Sequence, residues 1–170
     1  NHDVNRVAST LADPAHLYPL YGLLLTIPGV PSIYYGSEWG LAGQKHAGSD
    51  LPLRPNLSLA TAPAQGLQPQ LAGTIARLAA IRRRSPALTL GDYTQLHVAS
   101  QQLAFARRHA DQTVIVAANA AHQGVDLEIT PPVSSARWVD LLNPGEEFRP
   151  ANGKLKLPLH PCWLRILKNA

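Results

Sequence analysis

Of 170 residues, 45% are hydrophobic and 15% charged, a balance that fits one globular domain or two small ones and excludes an intrinsically disordered chain. The formal charge of +4 is no argument for a nucleic-acid partner, because the only dense basic run, Arg82-Arg83-Arg84, carries no interleaved aromatics. The single cysteine, Cys162, excludes an internal disulfide and a cysteine-based zinc site, and no apolar run approaches the ~18 residues that a membrane span needs.

The chain opens on the polar stretch Asn1-His2-Asp3-Val4-Asn5-Arg6. Asp13-Pro14 reads as a helix start, a capping carboxylate followed by proline at the first helical position. Leu17, Leu20, Tyr21, Leu24 and Leu25 then recur at helical spacing, Pro19 falls early enough to be tolerated, and Pro28-Gly29 ends the helix. Residues 31–36, PSIYYG, are an apolar and aromatic run between proline and glycine, which predicts a buried strand. A helix followed by a strand apolar on both faces predicts part of a parallel α/β sheet. Residues 37–65 are rich in Gly, Pro, Ser and Asn, and a loop of that length points to function or disorder. A second helix is predicted over residues 68–84, with Leu71, Ile75, Leu78, Ala79 and Ile81 on one face. Arg82, Arg83 and Arg84 in its last turn are read as cations facing the negative end of their own helix, which Ser85-Pro86 stops.

Near residue 87 the pattern changes to alternating runs. Strands are predicted over residues 93–99, 102–108, 113–119, 125–129, 136–142, 154–159 and 163–167, with turns at 110–112 and 143–145. Short strands at this spacing predict an antiparallel sandwich.

The chemistry is concentrated at the start. A loop carboxylate beside an imidazole, His2-Asp3, can act as a base, a ligand or a charge stabiliser, although such a dipeptide is common by chance. Its context narrows the reading: NHDVNR precedes a helix, PGVPSIYYGSEWGLAG follows, and a long loop with Asp50 and Arg54 comes next. Taken together, these motifs resemble the C-terminal part of α-amylase-type enzymes, glycoside hydrolase family 13. The resemblance implies an α/β plus all-β chain. Residues 1–86 would be the C-terminal fragment of a (β/α)8 TIM barrel, and residues 87–170 an antiparallel β-sandwich called domain C. In such barrels the loops at the C-terminal strand ends carry the active site, which puts residues 1–6 and 37–54 on one rim.

Roles follow from the same resemblance. Asp3 matches a third catalytic carboxylate that grips sugar hydroxyls and stabilises an oxocarbenium-like transition state. His2 matches a histidine that hydrogen-bonds the sugar at the cleavage point. Arg6 matches an arginine whose fork can orient carboxylates, and Asp50 and Arg54 match a pair that binds a glucose unit farther away. The bland alternatives are loop support for His2-Asp3, a surface ion pair for Arg6 and a loop salt bridge for Asp50 and Arg54. Glu38 lies near a position where the family carries an acid, Ser37 departs from the Asp or Glu common there, and Trp39 is read as packing.

A retaining glycosidase needs a nucleophile and an acid/base about 5–5.5 Å apart. The family supplies them from barrel strands four and five, which this chain lacks, so these residues alone are expected to be inactive. The open barrel is expected to leave part of residues 1–86 poorly ordered, self-associated or completed by another chain. The implied partners are an α-glucan or maltooligosaccharide and the N-terminal part of the barrel, with no nucleic acid and no membrane. No cofactor is assigned to this chain, and calcium is allowed in a longer enzyme. His16, His46, His97, His109, His122 and His160 form no ligand pair at metal spacing, so no metal residue is assigned. Two rival classes stand beside this reading. One is a carbohydrate-binding sandwich, which needs a row of exposed aromatics among Tyr93, Phe105, Trp138, Phe148 and Trp163; the other is a non-catalytic relative of the family. Composition assigns no compartment.

Overall fold

Asp13 caps the first helical segment from the position its sequence predicts. Its carboxylate accepts a hydrogen bond from the Ala15 amide at 2.6 Å, and Pro14 begins a 3₁₀ turn, Pro14–His16, that leads into helix α1, Leu17–Thr26. The computed structural model describes residues 1–170, which divide into two compact units, Asn1–Leu17 with Pro31–Ala76 and Tyr18–Val30 with Arg77–Ala170. No helix is long and apolar enough to cross a membrane.

The first unit is built mostly from loops. Short 3₁₀ helices form at Val7–Ser9, Ser37–Trp39 and Leu51–Leu53, and a single α-turn, α2, at Ala62–Gln65. Residues 31–34 carry neither helix nor strand, and Tyr35 is exposed. The strand predicted over residues 31–36 is therefore not formed within this chain. A parallel strand exists only through ladder bonds to its neighbours, and every ladder pair of the two sheets lies within residues 92–169.

Helix α3, Leu71–Arg84, begins three residues later than predicted, and the short helix α4, Pro86–Leu90, follows it. Leu71, Thr74, Ile75 and Leu78 form its buried stripe at i, i+3, i+4 and i+7. Ala79, predicted on that stripe, is exposed: it lies next to Leu78 in sequence and so about 100° away around the helix.

The second unit is antiparallel throughout. Its strands are β1 (Asp92–Val98), β2 (Gln102–His109), β3 (Gln112–Asn119), β4 (Val125–Ile129), β5 (Trp138–Asp140), β6 (Glu147–Phe148), β7 (Leu155–Leu159) and β8 (Trp163–Asn169). Six pair in the order β1-β2-β3-β8-β5-β6, and β4 with β7 makes a second, two-stranded sheet. The predicted strand over 136–142 shrinks to three residues, and β6 was not predicted because two residues carry no period. Leu155, Leu157 and Leu159 point inward while Lys156 and Pro158 point out, the alternation expected of a sheet with one wet face. Leu127, Ile129 and the three β7 leucines pack with Ala104, Ala106, Ile115, Ala117, Trp138 and Leu167 of the larger sheet, so the core lies between the two sheets.

Two arginines close the end of α1. Its last carbonyls have no helical partner. Arg82 donates from Nη1 to the Leu25 and Ile27 carbonyls at 2.9 and 3.1 Å and from Nη2 to that of Gly29, while Arg107 Nη1 donates to the Thr26 carbonyl at 2.7 Å. Arg82 thus serves another helix, not its own as the sequence suggested. Both guanidinium pKa values are pushed down by burial; for Arg107 the neighbouring Arg82 adds to the effect and Asp92 opposes it.

A further arginine ties the sandwich together. Arg165 Nη1 meets Asp140 at 3.0 Å and Glu146 at 2.8 Å, Nε donates to the Pro158 carbonyl at 2.6 Å, and the guanidinium lies over the Phe148 ring. Asp140 also accepts from the Leu142 and Asn143 amides, so every buried charge in this network has a partner. Replacing only Arg165 by Met strands the Asp140 charge and is expected to cost about 3–5 kcal/mol. Urea unfolding followed by tryptophan fluorescence measures this, and Arg165→Lys, which lacks the fork, should recover only part of it. Gly22 gives a second test. A Cβ there would lie 2.2 Å from Leu164 Cδ1 on β8, so Gly22→Ala should overpack the contact and lower stability by about 1–3 kcal/mol in the same assay.

Candidate functional site

Arg6 organises the first unit. It is almost fully buried, with 2% of its surface exposed. Its Nη1 donates to the Tyr35 carbonyl and its Nη2 to the Leu53 carbonyl, both at 2.8 Å, and its own amide donates to the Gly43 carbonyl at 2.9 Å. The guanidinium also sits 4.8 Å from the Tyr34 ring centre and 5.2 Å from that of Tyr35, within cation–π range. One side chain therefore joins three segments distant in sequence. Gly43 is part of the fit, because a Cβ there would stand 2.4 Å from the Pro52 carbonyl oxygen and 3.0 Å from Arg6 Cδ. Arg6 Nε is buried without a partner. The residue is neither a surface ion pair nor free to reach out to a ligand with its terminal nitrogens. Its bonds hold the segments around Tyr35, Gly43 and Leu53 together.

The opening loop is fixed around it. The Lys45 amide donates to Asn5 Oδ1 at 2.7 Å, Lys45 Nζ donates to the Asp3 carbonyl at 3.0 Å, and the Gly43 amide donates to Ser9 Oγ at 2.7 Å. The Asp3 amide in turn donates to Asn1 Oδ1 at 2.9 Å. None of these bonds uses the side chain of His2 or Asp3. His2 Nε2 lies 3.4 Å from Asp3 Oδ1, with 41% and 66% of the side chains exposed. An exposed carboxylate with spare lone pairs can accept from hydroxyls, and an imidazole beside it can donate or accept.

Asp50 and Arg54 form an ion pair at 3.7 Å, both about half exposed, flanking the 3₁₀ helix whose Leu53 carbonyl Arg6 holds. The loop salt bridge read from their spacing is thus present, and its exposed atoms stay open to a ligand. Tyr34 belongs to the same neighbourhood. Desolvation pushes its phenol pKa up, a hydrogen bond with Tyr35 and that residue's charge add to the effect, and Arg6 and Arg54 pull against it. Tyr35 donates its hydroxyl to the Pro55 carbonyl at 3.1 Å. Glu38, on the 3₁₀ helix that follows, has Oε2 buried without a partner. Arg6, the two tyrosines, Asp50 and Arg54 are thus gathered, and the His2–Asp3 pair is tied to them through the Arg6 backbone. The sequence carried no local signal for the Lys45 and Gly43 contacts, which span 34 to 42 residues.

A family model described as Maltogenic Amylase, C-terminal domain, matches residues 78–166, just over half of the chain. The chain belongs to this family. A cyclomaltodextrin glucanotransferase of Geobacillus stearothermophilus is 31% identical over 119 residues, covering 70% of this chain and 16% of the relative. Neopullulanase 2 of Thermoactinomyces vulgaris is 31% identical over 173 residues, covering 99% of this chain and 28% of that enzyme. A crystal structure of an α-amylase from Anoxybacillus shares the fold over the whole chain with a TM-score of 0.85, at 23% identity and over 36% of its own length. The resemblance to glycoside hydrolase family 13 holds, and the chain spans well under a third of these two curated relatives.

Within this maltogenic amylase C-terminal domain the sandwich offers no aromatic platform. Trp138 and Phe105 are fully buried, Trp163 packs against Tyr18 with ring centres 5.5 Å apart, and Phe148 lies under Arg165. Only Tyr93 is substantially exposed, and its ring stacks on Phe105. A carbohydrate-binding sandwich that works through a row of exposed aromatics is therefore disfavoured.

The arrangement around Arg6 makes a testable demand. Replacing it by Met removes two charge-assisted bonds, one buried and one partly buried, a loss of about 3 kcal/mol. Amide hydrogen exchange should show residues 43–45 and 51–54 losing protection, while β2, β3 and β8 keep theirs.

Proposed function

We propose that residues 1–86 close a (β/α)8 catalytic barrel and that residues 87–170 are its domain C, in a retaining enzyme that hydrolyses or transfers α-glucans. The observation that carries this reading is the exposed His2–Asp3 pair, whose loop is anchored through Arg6 to the Tyr35 and Leu53 carbonyls. Two features of the structure support it. Residues 31–34 lack a ladder, and parallel neighbours on either side would complete one. Val4, Tyr35, Leu51, Leu59 and Leu67 are exposed, and the remaining barrel units would cover such side chains.

In this reading Asp3 accepts hydrogen bonds from sugar hydroxyls and holds negative charge close to the positive charge that develops at the anomeric carbon. His2 donates to a hydroxyl of the same ring. Arg6 positions both by fixing the loop, and Asp50 with Arg54 contacts a glucose unit farther along. The nucleophile and the acid/base come from other barrel strands, so the 170 residues alone perform no covalent step. The names of the relatives, a cyclomaltodextrin glucanotransferase and a neopullulanase, favour an α-glucan or maltooligosaccharide as the substrate class.

The test uses soluble starch. The 170-residue chain should release no reducing sugar. The same residues joined to a barrel that carries the other two carboxylates should be active. In that enzyme Asp3→Asn should lower kcat at least about 100-fold, and His2→Asn should act mainly on KM. Turnover by the 170 residues alone, or an unchanged kcat in Asp3→Asn, would overturn the assignment; the second result would also favour a non-catalytic role for this loop.

A further inference from the structure

A cavity of about 340 Å³ lies in the second unit, between α3 and the side of the larger sheet that faces away from the sandwich core. Arg77 and Arg84 line it from α3, Lys168 from β8, Gln112 from the start of β3, and Ile81 and Leu141 supply apolar wall. Arg77 and Arg84 are seven residues apart, two helical turns, and so share a face. Leu167 packs into the sandwich core, so its neighbour Lys168 projects from the opposite face of the sheet, toward the cavity. No carboxylate lines the cavity.

Six other basic groups of the unit have partners, whereas Arg83, Arg108 and Arg149 have none but do not converge on one cavity. Arg137, Lys154 and Lys156 each meet a carboxylate at 3.1, 2.6 and 3.2 Å, Arg165 meets two, and Arg82 and Arg107 are bonded to backbone carbonyls. Arg77, Arg84 and Lys168 make no such bond and face one shared space. Three like charges around a concavity raise its potential and favour an anion within it. Two guanidinium forks and an ammonium suit phosphate oxygens, because arginine bonds them in pairs and lysine adds a point charge. The cavity is at the lower end of the range for small-molecule sites, and its apolar wall gives an organic group a surface to pack on.

We propose that this cavity binds a phosphate monoester with a small organic body, the phosphate held by Arg77, Arg84 and Lys168 and the body packed on Ile81 and Leu141. The site is separate from the His2–Asp3 loop, and its test reads binding, so the outcome does not depend on glucan chemistry.

The experiment titrates the 170-residue chain by calorimetry at low ionic strength with glucose 1-phosphate, inorganic phosphate and glucose. Glucose 1-phosphate should bind saturably at one site, inorganic phosphate more weakly and glucose not at all. Affinity should fall as salt rises, in line with screened charge. Arg84→Gln and Lys168→Gln should each weaken binding about tenfold, the scale of one charge-assisted hydrogen bond. Both residues are exposed, so the unfolding midpoint should not move; Arg77→Gln provides a third variant if either one does. Equal affinity for inorganic phosphate and the ester would remove the role of the apolar wall and overturn the ester assignment. No saturable binding of either phosphate probe, or wild-type affinity in the folded variants, would overturn the site itself.

Discussion

Carbonyl groups that no helix or ladder can satisfy set the terms on which this chain folds. A buried carbonyl without a donor costs about as much as a lost hydrogen bond, and four arginines supply donors to carbonyls at four separate places, of which those to Leu53 and Thr26 are buried. Arg6 serves Tyr35 and Leu53, Arg82 serves Leu25, Ile27 and Gly29, Arg107 serves Thr26 and Gly91, and Arg165 serves Pro158. Each joins segments that regular secondary structure leaves apart. Lysine would substitute only in part, because a single ammonium does not present a planar fork to two carbonyls at fixed separation, as Arg6, Arg82 and Arg107 do.

The same device explains how a loop-built unit can hold a chemical group still. His2 and Asp3 are exposed, and exposed loops are ordinarily mobile. Here the chain around them is fastened by other groups: the Arg6 amide on the Gly43 carbonyl, the Lys45 amide on Asn5 Oδ1, the Lys45 ammonium on the Asp3 carbonyl. Because the fastening uses main-chain atoms and neighbouring side chains, the Asp3 carboxylate and the His2 imidazole take no part in it. Fastening of the loop and exposure of its two titratable side chains thus fall to different atoms, the arrangement the proposed site would require.

The sandwich depends on a different balance. Its core, largely aliphatic with Trp138, lies between two sheets of unequal size, and its buried ionic network is complete. Partial satisfaction would be worse than none, because an uncompensated buried charge costs several kcal/mol. The cations at the outer face carry no such constraint. Arg77, Arg84 and Lys168 can remain unpaired because water reaches them, and that freedom makes them available to an external anion.

Much of this was readable from local pattern. Asp13-Pro14 marks the helix start because capping is a contact between near neighbours, and β4 appears at the residues its alternation predicts. The motif residues 1–54 carried the family resemblance directly. What the pattern missed depends on partners far along the chain. Residues 31–36 have a strand's composition, yet a strand is a property of paired backbones, and this chain provides no pair. Ala79 looked like a core residue on apolarity, but the buried stripe passes through Thr74. Arg6 and Arg82 looked like surface or end-of-helix cations, and their true partners lie 29 to 57 residues away. Spacing and residue type determined most of the segments that form and which residues carry the family resemblance. Only the tertiary structure decided which charges are buried, because that is settled by which distant carbonyls come within reach.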